Sequence, residues 1–389
     1  MCIKKLFIVI IIIGLASLAL GQGGNWSEPV LVDSINWGYH DGYPSISPDG
    51  QTMYLAKGND IWAARWNGES WGTPVILNEN INLGQVQVGA TVTPDNRTLY
   101  FTSYRDNGYG SYDIWKSDWD DSLNDWGEAE VLPPPINTDH MECDVQLSYD
   151  GTKMYLSSNR DFSWGDLDIW CSDWDSSTQT WGEPVNLGTT INTSTRENGP
   201  YPSLDGRRLY FSSWNRHGLL PPQWQDPPEI FVAYNNNGAW DSLDVLTEIN
   251  SDYWDESPAL SWDGLSLYFA SSRNSSDGWR DIYVSHQTTD IQDLNYDADD
   301  ENPIDFCLYP NPSNSEILFK LGSTLNASSS SLQIYNILGS LVYDISLADK
   351  NSIIWNCRDM GDRKVSSGCY FAILKADDNI YKNKFVILK

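Results

Sequence analysis

The chain reads as all-β: a five-bladed β-propeller closed by its amino-terminal strand, followed by a small β-sandwich. Three observations predict this. A turn followed by an apolar strand is written five times: "SPDGQTMYLA" from Ser47, "TPDNRTLYFTS" from Thr93, "SYDGTKMYLSS" from Ser148, "SLDGRRLYFSS" from Ser203 and "SWDGLSLYFAS" from Ser261. Three further marks recur around each copy in fixed order. Beyond residue 305 a different set of alternating strands begins.

The first element is residues 1–21, where Lys4 and Lys5 precede an apolar run that ends in the small residues Ala19 and Gly21. This is the pattern of a secretory signal peptide, and the run is short for a spanning helix. The mature chain is therefore expected to carry no transmembrane helix. Cleavage would leave Cys143, Cys171, Cys307, Cys357 and Cys369. An odd number means that disulfides do not carry the fold; Cys357 and Cys369 are the best candidate pair.

The propeller is assigned to residues 22–289. Its marks are a Trp strand (Trp26, Trp71, Trp126, Trp181, Trp240), an Ile-Asn pair (Asn36, Asn82, Asn137, Asn192, Asn250), the Asp-Gly hairpin (Asp49, Asp95, Asp150, Asp205, Asp263), and an acid before two apolar residues (Asp60, Asp113, Asp168, Glu229, Asp281). The hairpin mark advances by 46, 55, 55 and 58 residues, so insertions fall between strands while the order holds. The turn needs positive backbone angles, which Gly supplies and which Asn96 supplies in the second copy. The first copy opens with a Trp strand and the last ends without one. The outer strand of the fifth blade must then come from the amino terminus, which leaves no unpaired edge.

This "sPDG..lYf.S.R....DIy" pattern resembles the TolB-type, WD40-like propeller repeat of exported bacterial proteins. The resemblance implies the fold and leaves the function open, since propellers bind, scaffold and catalyse.

Residues 290–305, "DIQDLNYDADDENPID", are acidic and aperiodic and read as a linker. Asp293, Asn295 and Asp297 have the spacing of a calcium loop. Ala298 and Ile304 stand where that loop needs Gly and Glu, so calcium is a weak expectation and no other cofactor or metal is expected.

Residues 306–389 hold six alternating strands around "LYPNPSNS" at Leu308, "YNILGSLV" at Tyr335 and "VSSGCYFAIL" at Val365. They resemble the type A carboxy-terminal sorting domain of the type IX secretion system of Bacteroidetes. That resemblance implies an immunoglobulin-like sandwich, the secretion machinery as a partner, and a secreted or outer-surface location. Cys369 and "RDMGDRK" depart from the pattern without affecting a sandwich.

The composition excludes some functions. With 53 acidic and 24 basic residues the formal charge is −29, which repels nucleic acid. There is no Gly-rich phosphate loop and no zinc-spaced Cys/His set, and His40 and His217 lie apart from any nucleophile signature.

The site candidates lie at the end of the propeller opposite the Asp-Gly turns. Eight residues before each turn Asp stand Asp41, Gln87, Glu142, Glu197 and Asp255, at the start of the innermost strands. Four carboxylates are therefore expected around the channel mouth. Recurrence in register favours a structural tie, then ligand or cation binding, then acid-base catalysis, which needs two acids in unlike settings. The loops on that face carry unshared aromatics: Tyr109, Tyr112, Phe162, Trp164, Trp214, Trp224 and Trp279. Among these Tyr109, Trp164, Trp214, Trp224 and Trp279 are the expected ligand shelf, because ring faces stack on sugars. The insertion from Trp214 to Glu229 is expected to border it. Arg105, Arg160 and Arg273 each precede the acid of the third strand by eight residues, and pairing with Asp113, Asp168 and Asp281 is expected. Three functions follow in order: a non-catalytic binding module for a glycan or surface protein, a glycoside-processing enzyme using Asp41, Glu142, Glu197 or Asp255, and a structural envelope component.

Overall fold

The computed structural model describes residues 26–36, 40–214, 227–236, 238–262, 264–274, 279–287, 306–309, 317–321, 330–336, 341–347, 352–365, 368–376 and 379–387. Within them the chain is all-β. Strand β1 (Val30–Leu31) comes first. One sheet follows from β2 (Asp41–Ile46), β3 (Thr52–Lys57), β4 (Asp60–Arg65) and β5 (Val75–Ile76). The next holds β6 (Val86–Val92), β7 (Thr98–Tyr104), β8 (Asp113–Asp120), β9 (Asp125–Trp126) and β10 (Glu130–Val131). A third holds β11 (Glu142–Leu147), β12 (Lys153–Ser158), β13 (Asp168–Asp175), β14 (Thr180–Trp181) and β15 (Val185–Asn186). A fourth holds β16 (Glu197–Pro202), β17 (Arg208–Ser213), β18 (Glu229–Asn236) and β19 (Ala239–Val245). The last holds β20 (Asp255–Leu260), β21 (Ser266–Ser271) and β22 (Asp281–His286), and its outer member is β1, which pairs antiparallel with β22.

The hairpin mark works as its residues dictate. Asp49, Asp95, Asp150 and Asp205 each accept a hydrogen bond from the hydroxyl two residues before and from the amide two residues after. The next residue takes the left-handed conformation, at φ 71° in Gly50 and 58° in Asn96. Every first strand also carries a bulge where its register shifts, with a left-handed residue in it: Tyr43, Gly89, Asp144, Gly199 and Ser257.

The repeated Asn is a backbone mimic. The Asn82, Asn137, Asn192 and Asn250 amides each accept from and donate to one Ile of the third strand of the same sheet, Ile61, Ile114, Ile169 and Ile230, at 2.7–3.0 Å. Asn36 makes the same pair of bonds to Ile282, at 2.8 and 2.7 Å, across 246 residues. The Trp strands lock each sheet to its predecessor. Trp71 donates to Tyr268 at 3.1 Å, Trp181 to Tyr100 at 3.4 Å, and Trp26 meets Tyr210 edge-on. The first strands β2, β6, β11, β16 and β20 each contact the next, and β20 contacts β2.

The carboxy-terminal part has two sheets. One is β23 (Phe306–Tyr309), β24 (Ile317–Leu321) and β27 (Ser352–Trp355); the other is β25 (Ser331–Asn336), β26 (Leu341–Ser346), β28 (Gly368–Ala376) and β29 (Asn379–Ile387). Ile317, Phe319 and Trp355 of the first pack with Leu332, Ile334, Tyr370 and Leu374 of the second. Cys357 is buried in that core, while the side chain of Cys369, its expected partner, lies outside the described residues. The expected signal segment, linker and calcium-loop residues lie outside the described residues.

Candidate functional site

The in-register acids sit at the starts of the first strands and are fully enclosed, Asp41 at 1% exposure and Glu142, Glu197 and Asp255 at 0%. Each is occupied within its own sheet. Glu142 accepts from the Thr138 amide and hydroxyl at 2.8 and 2.7 Å and from Ser158 at 2.8 Å, and faces Arg160 at 3.3 Å. Glu197 accepts the matching bonds from Thr193 and Ser213. Asp255 binds the Ser251 amide and hydroxyl and pairs with Arg273 at 2.6 Å, while Asp41 pairs with Lys57. The geometry ties the loop before each first strand to the end of the second strand.

These contacts correct the expected arginine pairing. Arg160 and Arg273 face the first-strand acids, whereas Asp113 and Asp168 are satisfied by amides of the preceding loop, those of Tyr109 and Gly110 and of Trp164 and Gly165. Eight-residue spacing fits either partner. The capped loop amides already satisfy the third-strand acids, and the arginines reach across to the other carboxylate.

The second sheet breaks the rule. Gln87 replaces the acid, is 0% exposed, and neither of its amide atoms has a partner among the described residues. Arg105 bonds Ser103 and the Asn80 and Ile81 carbonyls, and burial without a paired carboxylate pulls its pKa down to about 10.

Residues flanking the acids differ from sheet to sheet, and several of them gather. Asp144, 6% exposed, accepts from Asn198 at 3.1 Å and the Gly199 amide at 3.3 Å. Burial raises its pKa, against the pull of Arg196. Burial and then Asp144 raise the Tyr43 phenol, on which Arg280 and Arg196 also act. Arg280 forms an ion pair with the buried Glu256. Arg196 lies over Trp214 at 5.2 Å, Arg280 over Trp254 at 5.5 Å, and the two indoles meet edge-on at 6.0 Å. His40 stands edge-on to Trp279 at 4.0 Å, its pKa lowered by burial and then by Arg280. Beside this cluster a small cavity of about 30 Å³ lies along the first strands, lined by Tyr43, Asp144, Gly199, Tyr201 and Ser257 among others.

The expected shelf residues are thus spread. Trp214 and Trp279 join the cluster, Trp164 and Tyr109 stand outward at 63% and 48% exposure, and Trp224 lies outside the described residues. Sequence reasoning missed Tyr43, Asp144, Arg196, Asn198, Glu256 and Arg280. Their signal was deviation: they lie one or two residues from marks that repeat. Among the described residues no group of three or more His, Cys, Asp or Glu side chains could hold a metal ion, and no helix is long and apolar enough to cross a membrane.

Residues 307–388 match the family of the secretion system C-terminal sorting domain. That match indicates export to the cell surface or release from it, and implies contact with the type IX secretion machinery. Among solved structures the chain is similar to a putative TolB from Agrobacterium tumefaciens, at 18% identity over 85% of this chain and 98% of that one, with a TM-score of 0.41. It is also similar to PorZ, a surface component of the type IX secretion system of Porphyromonas gingivalis, at 14% identity over 92% and 53%, with a TM-score of 0.32. An α-L-arabinofuranosidase from Lactobacillus brevis matches at 15% identity over 66% and 94%, with a TM-score of 0.44. No curated protein matches the sequence.

Proposed function

We propose that the protein is an exported five-bladed propeller, closed by its amino-terminal strand, that acts as a non-catalytic binding module for a glycan or surface protein. A cleaved signal peptide at residues 1–21, the propeller at 22–289, a linker at 290–305 and the sorting sandwich at 306–389 give it a path out of the cell. The cyclic contacts of the first strands and the Asn36–Ile282 pairing support closure.

One observation carries the binding reading. The acids that repeat are consumed within their sheets, while the residues that break the repeat collect at one end as a polar, aromatic cluster. Sites that select a ligand depart from scaffold symmetry in this way, and the outward rings of Trp164 and Tyr109 extend the same face.

A glycoside-processing enzyme is the second reading, favoured by Asp144: burial holds its carboxyl toward the neutral form while Glu256 faces Arg280, so two acids sit in unlike settings. A hydrolysis and binding screen on the full chain tests both. Binding without turnover, weakened by Trp214→Ala, is expected. Turnover that Glu142→Gln or Asp144→Asn abolishes overturns the non-catalytic reading.

A further inference from the structure

Arg65, the last residue of β4, carries the opposite charge to its counterparts. It lies opposite Thr52, and the same place is Asp118 opposite Thr98 in the second sheet and Asp173 opposite Lys153 in the third. Those two carboxylates bond the residues they face. Arg65 is exposed, donates to the Thr52 hydroxyl, and meets no carboxylate among the described residues.

The join between the first and second sheets is altered at the same level. Trp71, Trp181 and Trp26 each meet a Tyr of a neighbouring sheet edge-on, Tyr268, Tyr100 and Tyr210. The corresponding pair here is Trp126 and Tyr54, and among the described residues neither a hydrogen bond nor a ring contact joins them. They instead line a cavity of about 520 Å³, together with Arg65, Val75, Ile76 and Trp119. That volume falls within the range of small-ligand pockets, roughly 300–1,000 Å³. Val75 and Ile76 form the outer strand and are 67% and 46% exposed, so the apolar wall is open to solvent. Asn96 and Arg97 also line the cavity, which places it by the Asp-Gly turns, away from the aromatic cluster.

The chemistry of an occupant follows from the lining. Burial pushes the Tyr54 phenol up to about 12, against the pull of Arg65, so it stays a neutral O–H donor. An indole N–H donates only, and the Trp126 N–H is left without the bond that Trp71 and Trp181 make. Arg97 is held by Asp121 at 2.8 Å, and Asp125 accepts from the Trp126 amide at 2.8 Å, which leaves Arg65 as the cation able to take a ligand. Three donors, one of them a guanidinium, beside an apolar wall suit a carboxylate head on an apolar body. The net charge of −29 does not prevent this, because its field is screened beyond about 8 Å at physiological salt while Arg65 acts at contact.

We propose that this cavity holds a small monocarboxylate with an apolar body, its carboxylate on Arg65, Tyr54 and Trp126 and its body against Val75, Ile76 and Trp119. The site goes beyond the binding-module reading and stands or falls apart from it.

The test is titration calorimetry of the full chain with phenylacetate and indole-3-acetate, and with phenylacetamide and indole-3-acetamide as their uncharged counterparts. At least one of the acids is expected to bind, and its amide at least tenfold more weakly. Arg65→Gln and Val75→Asp should each weaken the acid at least tenfold; both positions are exposed, so the variants keep the fold. Val185→Asp, at the matching place in the third sheet and 66% exposed, should leave binding within twofold. Failure of both acids to bind, equal binding of acid and amide, or binding indifferent to Arg65→Gln and Val75→Asp overturns the proposal.

Discussion

At the scale of single residues, the departures from the repeat are the informative positions. Gln87 fills a place where the other four sheets put a carboxylate, and Arg105 is left buried without one. Gln87→Glu restores the arrangement seen in Glu142–Arg160 and Asp255–Arg273, and is expected to add about 1 kcal/mol to stability in urea unfolding. A loss of that size would mean that the enclosed amide has a partner after all. Asp144 is the opposite case. Burial raises its pKa above the ordinary 3.8, so the folded chain binds its proton at higher pH than the unfolded chain does. Its contribution is therefore most favourable in acid and is lost as pH rises through the folded value. Asp144→Asn should stabilise the protein at neutral pH, with an advantage that vanishes below about pH 4, measured as melting temperature against pH. A constant difference across that range would contradict the assigned burial.

At the scale of elements, the stability of each sheet depends on two devices, of which the sequence revealed one. The Trp strands alternate in phase and were readable as core because large aromatic residues at a fixed place in a repeat have few other uses. Trp71 packs on Tyr268 and donates to its hydroxyl, joining the sheet of β2 to that of β20. Trp71→Ala is expected to cost about 3–5 kcal/mol, and Trp71→Phe clearly less, in chemical unfolding. Equal effects would place the energy elsewhere. The Ile-Asn mark was visible, but its role was not: nothing in its spacing says that an amide side chain stands in for a strand and pairs with the backbone of Ile61 or Ile114. The arginines show the same limit. Distance along the chain fits two carboxylates equally, and only the fold selects Glu142 for Arg160 over Asp168.

At the scale of the whole molecule, the all-β, propeller-like class and the destination were legible and the candidate site was not. Turn chemistry repeated five times orders the strands, and the terminal motifs fall within residues 307–388, which match the sorting-domain family. The cluster of Tyr43, Asp144, Arg196, Glu256 and Arg280 comes from three different sheets and the loops before β16 and β22, so no local pattern announces it. Repetition reports what builds the scaffold, and a ligand site is assembled from what does not repeat. In the proposed closed propeller that assembly depends on β1, which pairs with β22 in the last sheet, because closure would hold the sheets of β2 and β20 side by side. Urea unfolding of Asn36→Ala beside Asn192→Ala, followed by Trp fluorescence, probes this directly. Each substitution removes the amide that satisfies one Ile amide and carbonyl, so both variants should lose about 1–3 kcal/mol. An Asn36→Ala protein as stable as the parent, with Asn192→Ala destabilised, would show that the amino-terminal strand does not close the propeller.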